Sequence, residues 1–216
     1  MYIPTLFQET DQATLHQLMQ TYSFATVITQ QDGVPYASHV PLLLRPDDGP
    51  HGTLVGHLAR ANPQWHHFDA ERDVLVIFQG PHTYVSPSWY AVHPSVPTWN
   101  YAVVHAYGSP RVMHDQDECY GTLRDLVQAN EAPSPKPWVF DLPPDYVQQM
   151  MRGIVGFAIR ITRLEGKYKL SQNRSLEDQH RVAAVLQAQD AGLSLDVGTL
   201  MQQRLDRPDH LESSEA

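Results

Sequence analysis

The stretch FATVITQQDGVPYASHVPLLL, residues 24–44, decides the fold class of this chain. Its two halves, 24–30 and 34–44, are rich in β-branched and apolar residues, which favour strands. Between them lies Asp32-Gly33, a dipeptide typical of a two-residue hairpin turn. The sequence therefore predicts two antiparallel strands joined by a tight turn.

Further strands follow this hairpin. Apolar runs at 53–58, 73–80 and 100–113 each predict one strand, and the run at 73–80 lacks alternation, which indicates burial on both faces. Residues 154–173 alternate apolar and polar side chains around a bend at Glu165-Gly166, which predicts a long strand pair. Six or seven strands in hairpin order make a mainly antiparallel sheet.

Helical spacing of apolar residues accompanies these strands. The first predicted helix places Leu15, Leu18 and Met19 on one face behind Thr10 or Asp11 as N-cap. A second carries Tyr120, Leu123 and Val127 on one face, with Leu126 beside it. The predicted helices cover 10–22, 115–131, a segment that begins at Pro143 or Pro144, 175–189 and 195–205. A further helix is predicted to begin at Pro63, and the last ten residues are predicted to form a frayed tail. The predicted class is α+β, a barrel flanked by short helices.

Charge and composition restrict the function. The net charge is −9, from 15 basic and 24 acidic residues, and no window forms a basic stripe. Charge therefore argues against direct DNA binding, without excluding it. No apolar run approaches the roughly 18 residues of a membrane span, so no membrane association is expected.

The chain is expected to be cytoplasmic. Its N-terminus, MYIPTLFQETD, has no basic residue followed by an apolar stretch, as a secretory signal would. Its single cysteine, Cys119, allows no internal disulfide and is interpreted as a small buried residue of a helix.

The segment GHLARANPQW, residues 56–65, is the first candidate site. It delivers His57, Arg60 and Asn62 just ahead of the predicted helix start, where a phosphate monoester would find donors and positive charge. The alternative is that this segment binds no ligand and that Arg60 is an ordinary surface residue beside an Asn-Pro turn. Ser38 and His39 lie on a strand expected to pair nearby, although a lone strand histidine usually only bonds its neighbours.

Two further segments carry binding chemistry. Residues 81–97 are dense in proline, serine, histidine and aromatics, which predicts a long ordered loop. The aromatic rings of this region either accept a planar ligand or cover the barrel mouth or a subunit interface; they are Tyr84, Trp89, Tyr90, Trp99 and Tyr101. The segment GKYKLSQNR, 166–174, holds Lys167, Lys169 and Arg174, either as an anion site or as protection of a strand edge. Several histidines lie between 57 and 105, but their spacing matches no metal-ligand set, so no metal is predicted.

Six motifs, taken together and in this order, resemble the FMN-binding negative transcriptional regulator family, the PaiB-type proteins. They are MYIPTLFQETD, HVPLLL, GTLVGHLARANPQW, FQGPHTYVSPSWY, VPTWNYAVVHAYG and IVGFAIRITRLEGKYKLSQNR. The resemblance implies an FMN-binding split β-barrel, like that of pyridoxine 5′-phosphate oxidase, over residues 1–190, followed by a C-terminal helix and tail over 191–216. It also implies a homodimer with FMN at the subunit interface.

The resemblance assigns site residues by position. The phosphate side of FMN falls to residues of two segments: Ser38, His39, Val40, Gly56, His57, Arg60, Ala61 and Asn62. The isoalloxazine side, or the partner subunit's contribution, falls to Trp99, Asn100, Lys169 and Gln172. Ser38 stands where many relatives have Asn. The implied function is regulation through bound flavin; the alternative is an oxidoreductase that passes hydride from NAD(P)H to a small substrate.

Overall fold

The computed structural model describes residues 1–189 and 192–207. These residues form eight strands and five α-helices, which confirms the α+β class. The strands are β1 (Gln8–Glu9), β2 (Phe24–Gln31), β3 (Val34–Pro41), β4 (Leu43–Arg45), β5 (Thr53–Ala59), β6 (Val74–Val85), β7 (Thr98–Val112) and β8 (Ile154–Lys169). The helices are α1 (Gln12–Thr21), α2 (Gln116–Glu131), α3 (Pro144–Met151), α4 (Leu176–Gln187) and α5 (Leu193–Leu205). None of these helices is long and apolar enough to cross a bilayer.

The strands form one sheet in the order β3-β2-β6-β7-β8-β5-β4, and β1 pairs with β8. The hairpin of β2 and β3 is confirmed: the strands pair antiparallel from Phe24↔Pro41 to Gln31↔Val34. Asp32 and Gly33 both have positive φ, 51° and 79°, as a two-residue type I′ turn requires. The predicted strand 34–44 is two strands, because β3 ends at Pro41 and β4 pairs instead with β5.

The chain divides into two compact units. The larger one comprises residues 11–78 and 104–165. Its core is formed by alternate side chains of the central strands: Val27, Leu54, Val76, Val104 and Phe157 are fully buried. Helix α1 is capped by Asp11, whose side chain accepts from the Thr14 amide, and it buries Leu15, Leu18 and Met19 as predicted.

Helix α2 begins after the cap Asp115, as predicted, but buries a different face. Cys119, Thr122 and Leu126 are buried, whereas Tyr120 is 37% exposed. Small Cys119 and Thr122 let the helix lie close to the sheet, where Cys119 packs with Val55 and neighbouring residues. The stripe of large apolar residues in the sequence therefore did not predict which face of α2 packs against the sheet.

The smaller unit comprises residues 1–10, 79–103 and the chain from residue 166 onward. Helix α4, capped by Ser175, packs along α5 and buries Val182 and Leu186. Gly198 allows this close packing, since a Cβ there would lie 2.9 Å from the Leu186 Cβ. Beyond residue 207 the predicted tail lies outside the described residues.

Three element predictions were wrong in extent. Strand β6 continues to Val85, burying Thr83 and Val85 while exposing Tyr84, so the predicted loop 81–97 shortens to residues 86–97. Strand β8 runs without the bend predicted at Glu165-Gly166. The helix predicted at Pro63 is a five-residue 3-10 turn, Pro63–His67.

The prediction that the run 73–80 is buried on both faces holds only in part. Val74, Val76 and Phe78 are buried, whereas Leu75 and Ile77 on the opposite face are half-buried. The apolar composition therefore overstated the burial of this face.

Candidate functional site

Asn62 connects the turn after β5 to strand β3. Its Nδ2 donates to Ser38 Oγ over 2.8 Å, and its Oδ1 accepts from the Gln64 amide over 3.0 Å and from the Tyr36 hydroxyl over 3.4 Å. Asn62 is thus the N-cap of the 3-10 turn and also the link to the hairpin. The predicted pair Ser38 and Asn62 is brought together by these bonds.

Gln64 fixes this turn from beneath, a role that the sequence reasoning missed. The side chain is fully buried, and its Nε2 lies 2.9 Å from Val27 O and 3.2 Å from both Thr29 Oγ1 and Tyr36 O. A buried amide must be hydrogen-bonded, so Gln64 ties the 3-10 turn to β2 and β3. Its polar character two residues after Asn62 was the only sequence signal.

His39 does not join Ser38 and Asn62. Successive residues of a strand point to opposite faces, and the His39 Nδ1 is bonded to Thr26 Oγ1 of β2 over 2.9 Å. Val40 shares the face of Ser38 and is half-buried. The structure therefore divides the predicted triplet 38–40 between two faces.

Gly56 and His57 lie in β5 and have different surroundings. A Cβ on Gly56 would be 2.7 Å from Leu42 Cδ2 and 3.2 Å from Pro41 O, so only glycine allows this approach to the chain following β3. The His57 Nδ1 is buried and has no hydrogen-bond partner among the described residues. Burial lowers the pKa of His57 below its usual value, which keeps the imidazole neutral near pH 7.

Arg60 is anchored to the turn between α3 and β8. Its Nε donates to Arg152 O over 2.7 Å and its Nη2 to Ile154 O over 2.6 Å. These bonds leave the Nη1 protons available, and the side chain has no acidic partner among residues 1–189 and 192–207. Ala61, next in the chain, is exposed.

Trp99 lies on the exposed face of β7 in the smaller unit. It is 53% exposed, and its ring lies 6.2 Å from that of Tyr84 and 6.3 Å from that of His82. These rings offer a surface for a planar group.

Lys169 adds positive charge to the smaller unit. Its Nζ donates to Thr98 Oγ1 over 2.5 Å and to Trp99 O over 2.7 Å. Burial, with nearby Lys167 and Arg174, lowers the pKa of Lys169. Within the described part of the chain, none of these three cations has an acidic partner.

Asn100 and Gln172 have inward contacts. Asn100 is fully buried, and its Nδ2 donates to Ser171 Oγ over 2.9 Å. The Gln172 Oε1 accepts from the Leu170 amide over 2.6 Å, and its Nε2 donates to Tyr168 O. Both residues shape the segment after β8, so they would act on a ligand through the backbone of that segment.

Metal and thiol chemistry have little support here. The described residues contain no group of three or more His, Cys, Asp or Glu side chains placed to hold a metal. Cys119 is buried, and its burial raises the pKa of the thiol, which makes it a poor nucleophile.

The donors of this chain suit FMN. An FMN phosphate carries nearly two negative charges and needs N–H and O–H donors, and its ring system needs planar or apolar contacts. Taken separately, the larger unit offers Arg60 and the Ser38 hydroxyl as donors, and the smaller unit offers the exposed ring of Trp99 as a planar surface.

Comparison of the sequence with known protein families identifies the family. Residues 1–163 match the family described as "Putative FMN-binding domain". The chain belongs to this FMN-binding family. The membership confirms the resemblance that the motifs indicated and confirms FMN as the cofactor. Bound FMN supplies hydride and electron transfer, while the protein supplies binding and orientation.

Relatives of this FMN-binding family extend over nearly the whole chain. Protease synthase and sporulation protein PAI 2 of Bacillus subtilis is 39% identical over 206 residues, which cover 95% of this chain and 98% of that protein. An uncharacterised protein of Emericella nidulans is 31% identical over 222 residues, which cover 84% of this chain and 88% of that protein.

Solved structures share the fold at low sequence identity. The flavocytochrome Anf3 from Azotobacter vinelandii has a TM-score of 0.60 at 15% identity, with 80% of this chain and 74% of that chain covered. The FAD and heme binding protein from Mycobacterium smegmatis has a TM-score of 0.57 at 18% identity, with 80% and 78% covered. The predicted split-barrel fold is confirmed.

Proposed function

We propose that this chain is a homodimeric, FMN-binding regulatory protein that senses or acts through its bound flavin. The observation that carries the proposal is the turn at Arg60–Asn62, which is fixed by hydrogen bonds to β3 and to the turn before β8 and which still has unused donors. The regulatory part is supported by the 39% identity to the PAI 2 protein, whose name refers to protease synthesis and sporulation.

In this proposal the FMN phosphate lies against Ser38, Asn62 and Arg60. The Ser38 oxygen accepts from Asn62, so its proton is free for a phosphate oxygen. The Arg60 Nη1 group adds a charge-assisted donor. Gly56 and His57 shape the neighbouring strand, Val40 lies on the Ser38 face, and His39 supports the hairpin from its opposite face.

We assign Trp99 and Lys169 to the isoalloxazine side of FMN or to the contribution that a partner subunit makes to the site. Trp99 offers an exposed ring, and Lys169 offers positive charge that would stabilise the negative charge of a reduced flavin. Asn100 and Gln172 position the segment after β8.

The dimer is supported by the apolar edge of the sheet. Strand β3 is the last strand at one end of the sheet, and its Val34 is 66% exposed while Phe24 on the adjacent strand is 68% exposed. An exposed apolar edge strand favours pairing with another chain, which then covers the edge. A second copy of this chain would cover it.

The experiment is an FMN titration of purified, flavin-free protein, followed by light scattering. The proposal expects quenching of FMN fluorescence that saturates at one FMN per chain and a particle of about twice the 24.5 kDa chain mass. A monomer that binds FMN would refute the dimer alone, and absence of FMN uptake would refute the whole proposal.

A second assay separates regulation from catalysis. The FMN-loaded protein is mixed with NADH or NADPH in air, and the absorbance of the nicotinamide is followed. Inertness toward both supports a regulatory role. Steady oxidation over many turnovers would favour the oxidoreductase, and tight, salt-sensitive, sequence-specific DNA retardation would favour direct DNA binding despite the net charge of −9.

A further inference from the structure

A cleft of about 430 Å³ lies beside α2 and α3 in the larger unit. Its volume falls within the range of small-molecule sites, roughly 300–1,000 Å³. Neither Ser38 nor Asn62 lines it. Arg60 lies at its rim, so the cleft adjoins the proposed phosphate contacts at that one residue.

The floor of the cleft is apolar and rich in sulfur. Met113, Cys119 and Val155 are buried there, and Met151 adds a half-buried thioether. Trp65 forms one wall, held in place because its Nε1 donates to Arg60 O over 3.1 Å. Flexible, polarisable side chains adapt well to an apolar ligand, and an indole wall favours a flat one.

The rim of the cleft carries positive charge. Arg152 is exposed, and its guanidinium makes no hydrogen bond or ion pair with any described residue. Arg60 lies on the same rim, but its Nε and Nη2 are bonded to carbonyl groups and its Nη1 is assigned to the FMN phosphate, so Arg152 is the cation left for a second ligand. The one carboxylate of the lining is Asp115, which already accepts from the Asp117 amide as cap of α2.

We propose that this cleft binds a small amphipathic organic anion, an aromatic carboxylate by class. The flat apolar body of the ligand would lie on the sulfur-rich floor against Trp65, and its carboxylate would accept hydrogen bonds from the Arg152 guanidinium. Guanidinium groups match carboxylates because both are planar and can form two parallel bonds. The proposal goes beyond FMN binding and does not depend on it.

The test compares 2-naphthoate with 2-naphthamide, which has nearly the same shape but no charge. Calorimetric titration of the full-length, FMN-loaded protein is expected to show 2-naphthoate binding at least tenfold more tightly. Arg152→Gln should weaken 2-naphthoate about tenfold, the usual effect of losing one charge-assisted bond, and leave 2-naphthamide unchanged. Arg124→Gln, on the exposed surface of α2, is the matched control and should change neither.

Cys119 reports where the ligand lies, because it is the only cysteine of the chain and is part of the floor. Because this thiol is buried and its pKa is raised, its alkylation by iodoacetamide is slow and is followed at alkaline pH by mass spectrometry, and saturating 2-naphthoate should slow it several-fold further. The proposal is overturned if the acid and the amide bind equally, if Arg152→Gln has no more effect than the control, or if Cys119 is not protected. One-for-one displacement of 2-naphthoate by FMN in the flavin-free protein would also overturn it, by placing the anion in the flavin site.

Discussion

Asn62→Asp separates the two roles of Asn62, the cap and the phosphate neighbour. Aspartate is as good an N-cap as asparagine, so the Gln64 amide keeps its acceptor. The Ser38 hydroxyl can turn and donate to the new carboxylate. We therefore expect the free energy of unfolding to change by less than about 0.5 kcal/mol, as for most substitutions that keep their contacts.

FMN affinity should respond quite differently. A carboxylate about 4 Å from a phosphate charge costs roughly 1–4 kcal/mol at effective dielectric constants between 80 and 20. The expected loss is thus about fivefold to several hundred-fold in Kd, and it should shrink as salt is added. Riboflavin lacks the phosphate, so its affinity should be unchanged.

The assay is fluorescence titration of FMN and riboflavin into wild type, Asn62→Asp and Asn62→Ala, with urea unfolding of each. Asn62→Ala should lose about 2 kcal/mol of stability, from the cap and the bond to Ser38. Asn130→Asp, at the exposed end of α2, makes the same charge change elsewhere and should leave FMN affinity alone. Equal affinity of wild type and a folded Asn62→Asp for FMN would refute the assignment of the phosphate.

Three further predictions concern packing, pH and charge. Gly198→Ala should lower the free energy of unfolding in urea by roughly 1–3 kcal/mol, since the new Cβ would lie 2.9 Å from Leu186 Cβ. The control is Gly121→Ala in α2, whose Cβ meets nothing within 4 Å and which should be neutral or stabilising. A neutral Gly198→Ala would contradict the packing of α5 on α4. Because burial lowers the pKa of His57 in the folded state, the unfolded state binds more protons below about pH 6.5. The free energy of unfolding should therefore decrease as the pH falls from 7 to 5, and His57→Gln should reduce that decrease, with exposed His180→Gln as control. An unaltered slope of thermal stability between pH 7 and 5 would contradict this. Lys169→Met should weaken the binding of FMN about tenfold and lower the salt dependence of that binding. The control, Lys136→Met at an exposed position, should change neither. Identical FMN titrations for the two variants would show that Lys169 is not part of the site.

Local signals predicted the elements that depend on local physics. The hairpin followed from Asp32-Gly33, because few dipeptides accept two positive φ angles, and helix α1 followed from its cap and apolar spacing. Proline misled the interpretation of 81–97: Pro81 is accommodated within β6, and the alternation of Thr83, Tyr84 and Val85 is too short to stand out. The buried face of α2 was missed because small Cys119 and Thr122, rather than large residues, meet the sheet.

The candidate site was predictable in its residues but not in its bonds. The spacing in GHLARANPQW placed Arg60 and Asn62 in one turn, and the structure shows what each one holds. No local pattern could show that Arg60 binds carbonyl groups about 90 residues away, that His39 faces away from Ser38 toward Thr26, or that Asn100 is fully buried. Such contacts arise from tertiary packing, which a single sequence does not display.

The central claim is that this chain binds FMN through its phosphate. Its most direct test is the titration of flavin-free protein with FMN and, in parallel, with riboflavin, followed by flavin fluorescence and the visible spectrum. We expect saturable binding of one FMN per chain, at least tenfold tighter than riboflavin, the scale of a single charge-assisted bond. Failure to take up FMN, or equal affinity for the two flavins, would contradict it.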